Sequence, residues 1–215
     1  MSLQRVLIAP EQYQTQQIVL SSAQQRYLHR VLRLGQGDQF IALDGRGGQW
    51  LAELTADLAT AKVLEALVDP QKDFSAAQIT LLAALPKGNG FDEVVRQTTE
   101  LGVTCIQPVL SDRTLIRPSD QKLERWQRIA AEATEQSERL IAPEICSPLP
   151  WRDVLGAVPE MACYLCVTRL DAPHLLNCLQ SVSSQAIAIA IGPEGGWTDE
   201  EVADAIASGF QPVSL

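Results

Sequence analysis

The residues best suited to chemistry sit in one segment, Ile189-Ala190-Ile191-Gly192-Pro193-Glu194-Gly195-Gly196-Trp197-Thr198-Asp199-Glu200-Glu201. The apolar run 186–191 reads as a buried strand that delivers the chain to a glycine-rich turn, and a helix starts at once. Thr198 and Glu201 fit a capping box, and Trp197 can staple against Val202. The turn therefore lies at the carboxyl end of a parallel strand, where open α/β sheets bind ligands. Gly192, Gly195 and Gly196 carry no side chains, so a flat group such as adenine can lie directly against backbone N–H and C=O groups. The spacing is not the G-x-G-x-x-G dinucleotide fingerprint, and Pro193 lacks the amide proton that a phosphate cradle uses. The loop suits an uncharged adenosyl group better than a pyrophosphate; a glycine loop without a ligand is the plain alternative.

Two groups of cations could meet phosphates. Arg26, Arg30 and Arg33 follow at helical spacing, with His29 beside them. Three guanidinium groups on one helix face form an anion-binding surface, whereas a merely solvated face is the competing reading. Arg33 at the helix end could also complement the helix dipole. His29 reads as a packed or rim histidine. Further along, Arg113, Arg117, Lys122, Arg125, Arg128 and Arg139 crowd into one stretch, with Glu124 and Glu132 as intrahelical partners for some of them. Gln136 is either a site contact or a helix-surface amide. Cys163 and Cys166 have the spacing of redox and zinc sites, but they fall on the strand 162–167. Positions three apart on a strand face opposite sides, which favours two core thiols and no metal.

The elements that carry these residues fall into two patterns. Up to about residue 70 the chain reads as strands 6–9, 18–20, 39–43, 49–54 and 62–68, with Asp44-Gly45-Arg46-Gly47-Gly48 as a turn. One helix, 23–34, has Ser22 and Gln25 as a capping box, Gly35 as its stop, and Leu28, Val31 and Leu32 as its apolar stripe. The pattern changes around Pro70-Gln71-Lys72-Asp73. Beyond it strands 79–85, 104–109, 162–167, 186–191 and 212–215 alternate with helices 91–101, 120–140, 173–182 and 199–208. Such alternation means a parallel sheet with helices on both faces.

Composition bounds the function. The chain has 215 residues and a net charge of −9, with 46% hydrophobic and 20% charged residues. Residues 1–72 are neutral and residues 73–215 carry the whole acidic excess, so a nucleic-acid contact must use local basic patches. The longest strongly apolar run, 186–191, is too short to cross a bilayer. Five cysteines without a secretion signal imply a reducing interior and a cytoplasmic protein.

Taken together, the segments resemble a known family. Ile191-Gly192-Pro193-Glu194-Gly195-Gly196 resembles the cofactor loop of the SPOUT methyltransferases, whose C-terminal trefoil knot binds S-adenosylmethionine. Tyr27-Leu28-His29-Arg30-Val31-Leu32-Arg33 and Asp44-Gly45 are similar to the N-terminal motif and turn of the RsmE family. Lys87, then Asp92–Val103 with Thr99-Glu100-Leu101-Gly102-Val103, resembles that family's first knot-domain helix. Arg125-Trp126 and Glu132-Ala133-Thr134-Glu135-Gln136-Ser137 to Arg139 resemble its long helix. The matches span nearly the whole chain in the family's order.

The resemblance implies an α/β fold: a SPOUT-type trefoil-knot domain with a parallel sheet at 73–215, and a small PUA-like, RNA-binding β-barrel domain at 1–72. It implies methylation by S-adenosylmethionine of N3 of a uridine in 16S ribosomal RNA of the small subunit, uridine 1498 in the family, by a homodimer. Ile191, Gly192, Pro193, Glu194, Gly195 and Gly196 would form one cofactor wall, with Val213, Ser214 and Leu215 as the opposite edge. Glu194 would be the catalytic candidate, its charge favouring the sulfonium or orienting the uracil, against the reading of a solvated loop carboxylate. Arg26, Arg30, Arg33, Arg113 and Arg139 would bind RNA. Arg113-Thr114 stands where the family shows Arg-Ser, which keeps the hydroxyl. The family continues past the last strand with a Leu-Gly turn and an Arg-bearing helix, so the knot domain ending at Leu215 is expected to be incomplete. A SPOUT enzyme with another rRNA or tRNA target, or a non-catalytic ribosome-binding protein, are the competing functions.

Overall fold

A computed structural model describes residues 3–68, 78–115, 118–158, 161–168, 170–180 and 186–215. Its contacts divide into two units, Met1–Phe74 with Ala131–Ala142, and Ser75–Ala130 with Pro143–Leu215. The pattern change expected at Pro70 to Asp73 lies outside the described residues.

The first unit is a curled six-stranded sheet of β1 (Arg5–Leu7), β2 (Tyr13–Gln14), β3 (Gln17–Val19), β4 (Gln39–Leu43), β5 (Gln49–Leu54) and β6 (Thr60–Val68), in the order β1-β4-β5-β6-β3-β2. Alternation sets its inner face: Trp50, Ala52 and Leu54 are buried along β5 while Leu51 and Glu53 are not. Ile18, Leu28, Phe40 and Ala61 complete that core. The two-residue β2 is too short to leave a periodic signal, and the sequence reading omits it.

The basic helix differs from expectation in three ways. It starts as α1 (Ser22–Arg26). Its capping box is Ser21 with Gln24, one residue earlier than the Ser22–Gln25 pair. It continues as a π-turn over Tyr27–Val31, closed by the Leu32 N–H donating to the Tyr27 carbonyl at 3.0 Å. The wider turn shifts the helix phase, so Leu28 is fully buried while Val31, expected in the stripe, is 64% exposed. Arg33, with φ of 58°, takes the left-handed stop position assigned to Gly35.

The second unit holds the parallel sheet. In chain order it comprises β7 (Gln78–Ala84), α2 (Gly90–Leu101), β8 (Cys105–Leu110), α3 (Asp120–Gln136), β9 (Glu144–Ile145), β10 (Leu149–Pro150), α4 (Trp151–Leu155), β11 (Ala162–Cys166), α5 (Leu175–Leu179), β12 (Ala186–Ile191), α6 (Asp199–Ala207) and β13 (Gln211–Val213). The last residues of α3, from Ala131 on, group with the first unit. The strands run in the order β10-β8-β7-β12-β11-β13, with β9 beside β8, and every pairing is parallel. Both faces are covered. Along β7, Leu82 and Ala84 join a core with Val109, Leu165, Ala188, Trp151 and Phe210, whereas Leu81 and Ala83 face Phe91, Val95, Ile106 and Trp126.

Gly102 ends α2 with φ of 95°. The long helix ends at Gln136 rather than 140, with Glu138 at φ of 59°. The helix expected at 173–182 is shorter: His174 caps α5, which spans Leu175–Leu179, and 181–182 lie outside the described residues. Cys163 and Cys166 point into different cores, as expected for a strand. Among the described residues no cluster of His, Cys, Asp and Glu could hold a metal, and no helix is long and apolar enough to cross a membrane.

Candidate active site

In a parallel sheet all carboxyl ends open on one side, and here two of them carry the predicted cofactor walls to either side of one strand. β12 ends at Ile191, which pairs with Ala83 of β7, while Ala190 pairs with Leu165 of β11. On the far side of β11, Val213 pairs with Cys166. The glycine turn and the segment Val213 to Leu215 therefore leave strands that flank β11. Val213 is fully buried and Leu215 is exposed. Ser214 is tied on both sides, its N–H donating to Pro173 O and its carbonyl accepting from Leu175 N, each at 2.9 Å. The residues directly after β11, Val167 and Thr168, lie between the two predicted walls by strand order. Sequence reasoning missed them, because a strand end without glycine or charge carries no signature.

The turn itself is tightly built. Pro193 is buried, and Gly196, at φ of 72°, donates its N–H to Pro193 O at 2.8 Å. A Cβ on Gly192 would stand 3.1 Å from Trp197 Nε1, so glycine lets the backbone lie on that indole without displacing the ring. Trp197 stacks on Trp151 with centroids 4.5 Å apart and an interplanar angle of 27°, and Phe210 meets Trp151 edge-on at 5.6 Å. Trp151 donates its Nε1–H to Glu201 O at 3.1 Å, whereas Trp197 Nε1 is buried without a partner among the described residues. The loop thus rests on an aromatic floor.

Four latches hold the turn's flanks. Thr198 and Glu201 form the expected capping box: the Glu201 N–H donates to Thr198 Oγ1 at 3.2 Å, and the Thr198 N–H to Glu201 Oε2 at 2.7 Å. Glu201, only 4% exposed, uses its other oxygen to accept the Asp112 N–H at 2.8 Å, which ties the turn after β8 to the start of α6. From that turn the exposed Arg113 donates Nη1 to the carbonyl of Gly195, and Thr114 Oγ1 accepts the Ser111 N–H at 3.0 Å. Glu194, exposed, accepts the Lys87 N–H through Oε1 at 2.9 Å. Backbone hydrogen bonds, within its own residue and from Lys87, hold its carboxyl below the usual glutamate range. The Lys87 amide and the Arg113 latch are backbone contacts across 107 and 82 residues, which sequence spacing does not reveal.

The predicted RNA-facing cations have separate settings. Arg26, Arg30 and Arg33 are all exposed in the first unit. His29 there is half-buried, with Nδ1 2.7 Å from Leu34 O and Nε2 3.1 Å from Leu58 O, which gives it a packing role. Arg139 is half-buried and Gln136 exposed. In the second unit Arg125 pairs with Asp92 of α2 at 2.8 Å rather than with Glu124, and Lys122 Nζ donates to Asn89 Oδ1 at 2.6 Å. Both are occupied in bracing α3 on α2. Arg117 lies outside the described residues.

The donor set fits an adenosyl cofactor. Gly192, Gly195 and Gly196 offer bare backbone, the only charged side chain of the turn is latched to Lys87, and no phosphate cradle exists there. Comparison with known proteins agrees. Residues 73–215 match an RNA methyltransferase domain, and residues 20–64 match an RNA methyltransferase PUA domain. The chain is 51% identical to a ribosomal RNA small subunit methyltransferase E of Synechocystis, over 98% of this chain and 70% of that protein. A protein of the same name from Rickettsia conorii is 29% identical, over 82% of this chain and 71% of that one. The crystal structure of ribosomal RNA small subunit methyltransferase E from Neisseria gonorrhoeae bound to S-adenosyl methionine superposes with a TM-score of 0.84 at 32% identity, covering 100% of this chain and 89% of that one. A methyltransferase from Legionella pneumophila in complex with the same cofactor gives 0.85 at 25% identity, covering 100% and 90%. With its glycine turn, its α/β domain and its β-rich RNA-methyltransferase PUA domain, the chain belongs to the ribosomal RNA small subunit methyltransferase E family.

Proposed function

We propose that this protein methylates N3 of a uridine in 16S ribosomal RNA, uridine 1498 in the family, using S-adenosylmethionine. The observation that carries the reading is the bare-backbone turn after β12, set between the carboxyl ends of neighbouring strands and laid on buried indoles. When bound, the cofactor supplies a methyl group on a positively charged sulfur. Ile191 to Gly196 form one wall of its site and Val213 to Leu215 the other, with Val167 and Thr168 between them.

Glu194 carries its charge to the turn. Because hydrogen bonds stabilise its ionised form, it stays a carboxylate at neutral pH, suited to facing a sulfonium or orienting the uracil N3–H. The same lowered proton affinity makes it a weak acceptor for the N3 proton, so its contribution is charge and positioning. Arg113 secures the turn through Gly195 O and presents an exposed guanidinium beside it, suited to a phosphate of the bound RNA. Arg26, Arg30 and Arg33, with Arg139, act on the RNA backbone and set its register, since guanidinium groups on an exposed face contact phosphates without reading sequence. Positioning of the uridine supplies most of the acceleration.

The domains are residues 1–72 for RNA binding and 73–215, of trefoil-knot type, for methyl transfer. The partner is the small ribosomal subunit. The protein acts as a homodimer in the cytoplasm, a reading supported by the exposed Leu176, Ile206 and Leu215 of the second unit and by five free thiols.

The test is methylation of small ribosomal subunits from cells lacking the modification, followed by nucleoside analysis. 3-Methyluridine at one position is expected. A methyl group on another base, on a ribose or on tRNA would overturn the assignment of target. Absence of calorimetric cofactor binding would favour a non-catalytic ribosome-binding protein.

A further inference from the structure

Outside the site, the described residue pair with the most reactive setting is Cys105 and Cys146. Cys105 opens β8, and Cys146 follows β9 directly. The two strands pair in parallel, Cys105 with Glu144 and Ile106 with Ile145, and the Cys146 N–H donates to Ile106 O at 3.0 Å. This register places the two sulfurs 3.6 Å apart, in van der Waals contact, on half-buried side chains. The sulfurs need only approach from this contact to about 2 Å for a covalent S–S bond to form. Nothing in the methyl-transfer site uses either thiol, because they lie at the amino end of β8 whereas the site lies at the carboxyl ends.

The two thiols are not equivalent. The S–H of Cys105 stabilises the Cys146 thiolate and draws the Cys146 pKa down, against burial and the Glu144 charge. Cys105 is pushed up by the same contact, by burial and by Glu144. Burial raises Cys163 and pushes Cys166 up to about 11, which leaves both thiols protonated and inert at neutral pH. A half-buried thiol whose ionisation is favoured by a second thiol in contact is the arrangement of a redox-responsive pair.

We propose that Cys105 and Cys146 form a reversible redox modification site whose oxidant is a small-molecule disulfide. The Cys146 thiolate attacks one sulfur of that disulfide, forming a mixed disulfide and expelling one thiolate. Cys105 then loses its proton to solvent and attacks the Cys146 sulfur, forming the Cys105–Cys146 bond and expelling the second thiolate. Two protein thiols are oxidised by two electrons and the small disulfide is reduced to two thiols. The bond would close the chain from 105 to 146, a loop that contains α3 and the Arg113 turn, and would restrict its unfolding.

The experiment incubates the full chain with oxidised glutathione and then counts free thiols, maps linked peptides and records thermal unfolding. The expected result is a fall from five free thiols to three, one linked pair joining residues 105 and 146, a melting temperature raised by several degrees, and full reversal by dithiothreitol. Cys105→Ser and Cys146→Ser should each stop at a glutathione adduct on the remaining thiol and form no internal bond. Five retained thiols, a linkage mapped elsewhere, or an internal bond formed by either variant would overturn the proposal. The peptide map of the unaltered protein decides the matter even where a variant fails to fold. Methylation activity is not part of the readout, so the result stands apart from the assignment of function.

Discussion

Glu194 is a carboxylate that accepts a backbone amide from a distant part of the sequence, that of Lys87, and this dictates how its variants should behave. Gln can still accept the Lys87 N–H but carries no charge; Ala can do neither. Glu194→Gln should therefore keep cofactor affinity close to the parent while lowering kcat. Glu194→Ala should also weaken affinity by about tenfold, the equivalent of one charge-assisted hydrogen bond. Calorimetry with the demethylated cofactor product, alongside single-turnover kinetics, separates the two effects. A Glu194→Ala protein that methylates at the parent rate would remove this side chain from the chemistry. Arg113 invites a parallel comparison: Arg113→Ala should loosen the turn through loss of its bond to Gly195 O, and should reduce RNA affinity as well.

Among elements, the α6 N-terminus depends on one buried acid. Glu201 accepts the N–H groups of both Thr198 and Asp112. Its truncation to Ala would leave two backbone donors unpaired beside a packed core, which costs about 2–4 kcal/mol. A fall in melting temperature together with weaker cofactor binding is expected, since the same carboxylate joins the glycine turn to the Arg113 turn. By contrast, Gly102→Ala at the left-handed end of α2 should cost only about 1 kcal/mol and leave cofactor affinity unchanged. The sequence made the α6 cap legible because Thr and Glu at that spacing act on their own backbone. It also made the strand β12, the turn and the alternation of the sheet legible. The basic helix was harder. A π-turn adds one residue to a turn, so a stripe drawn at ordinary helical spacing puts Val31 inward when it is exposed. Strands of two residues, such as β9 and β10, hold no period to read, and the contact of Cys105 with Cys146 depends on one of them. The turn's latches to Lys87 and Gly195 went unseen because one partner in each is main chain.

On the scale of the whole molecule, acidity and salt are the controlling variables. Glu135, beside the Leu7 N–H that it accepts at 2.6 Å, is pushed up to about 7, chiefly by burial. A carboxyl whose folded pKa is raised binds its proton more tightly when folded, so it favours folding below its ordinary value near 4.5 and loses that advantage as pH rises toward 7. Glu135→Gln should hence stabilise the protein at pH 8 by about 1–2 kcal/mol, after allowance for solvent screening, and by almost nothing at pH 4. Denaturant titrations at the two values check this. The protein's net charge of −9 makes general attraction to RNA unfavourable, so binding must rest on local arginines. Binding should weaken steeply with salt, and replacing Arg26, Arg30 and Arg33 together by Ala should flatten the logarithmic salt slope by roughly two to three. An unchanged slope would assign that helix face to solvent.

The stacked pair beneath the glycine turn has one further effect. Two indoles with centroids 4.5 Å apart and planes inclined by 27° couple their skewed electronic transitions, so the protein should show an exciton couplet in its far-ultraviolet circular dichroism. Conversion of Trp151 to Phe would abolish that couplet while retaining an aromatic ring in the stack. Because Trp197 supports Gly192 directly, the couplet should change as a nucleoside settles on the turn, giving an optical titration that needs neither label nor RNA.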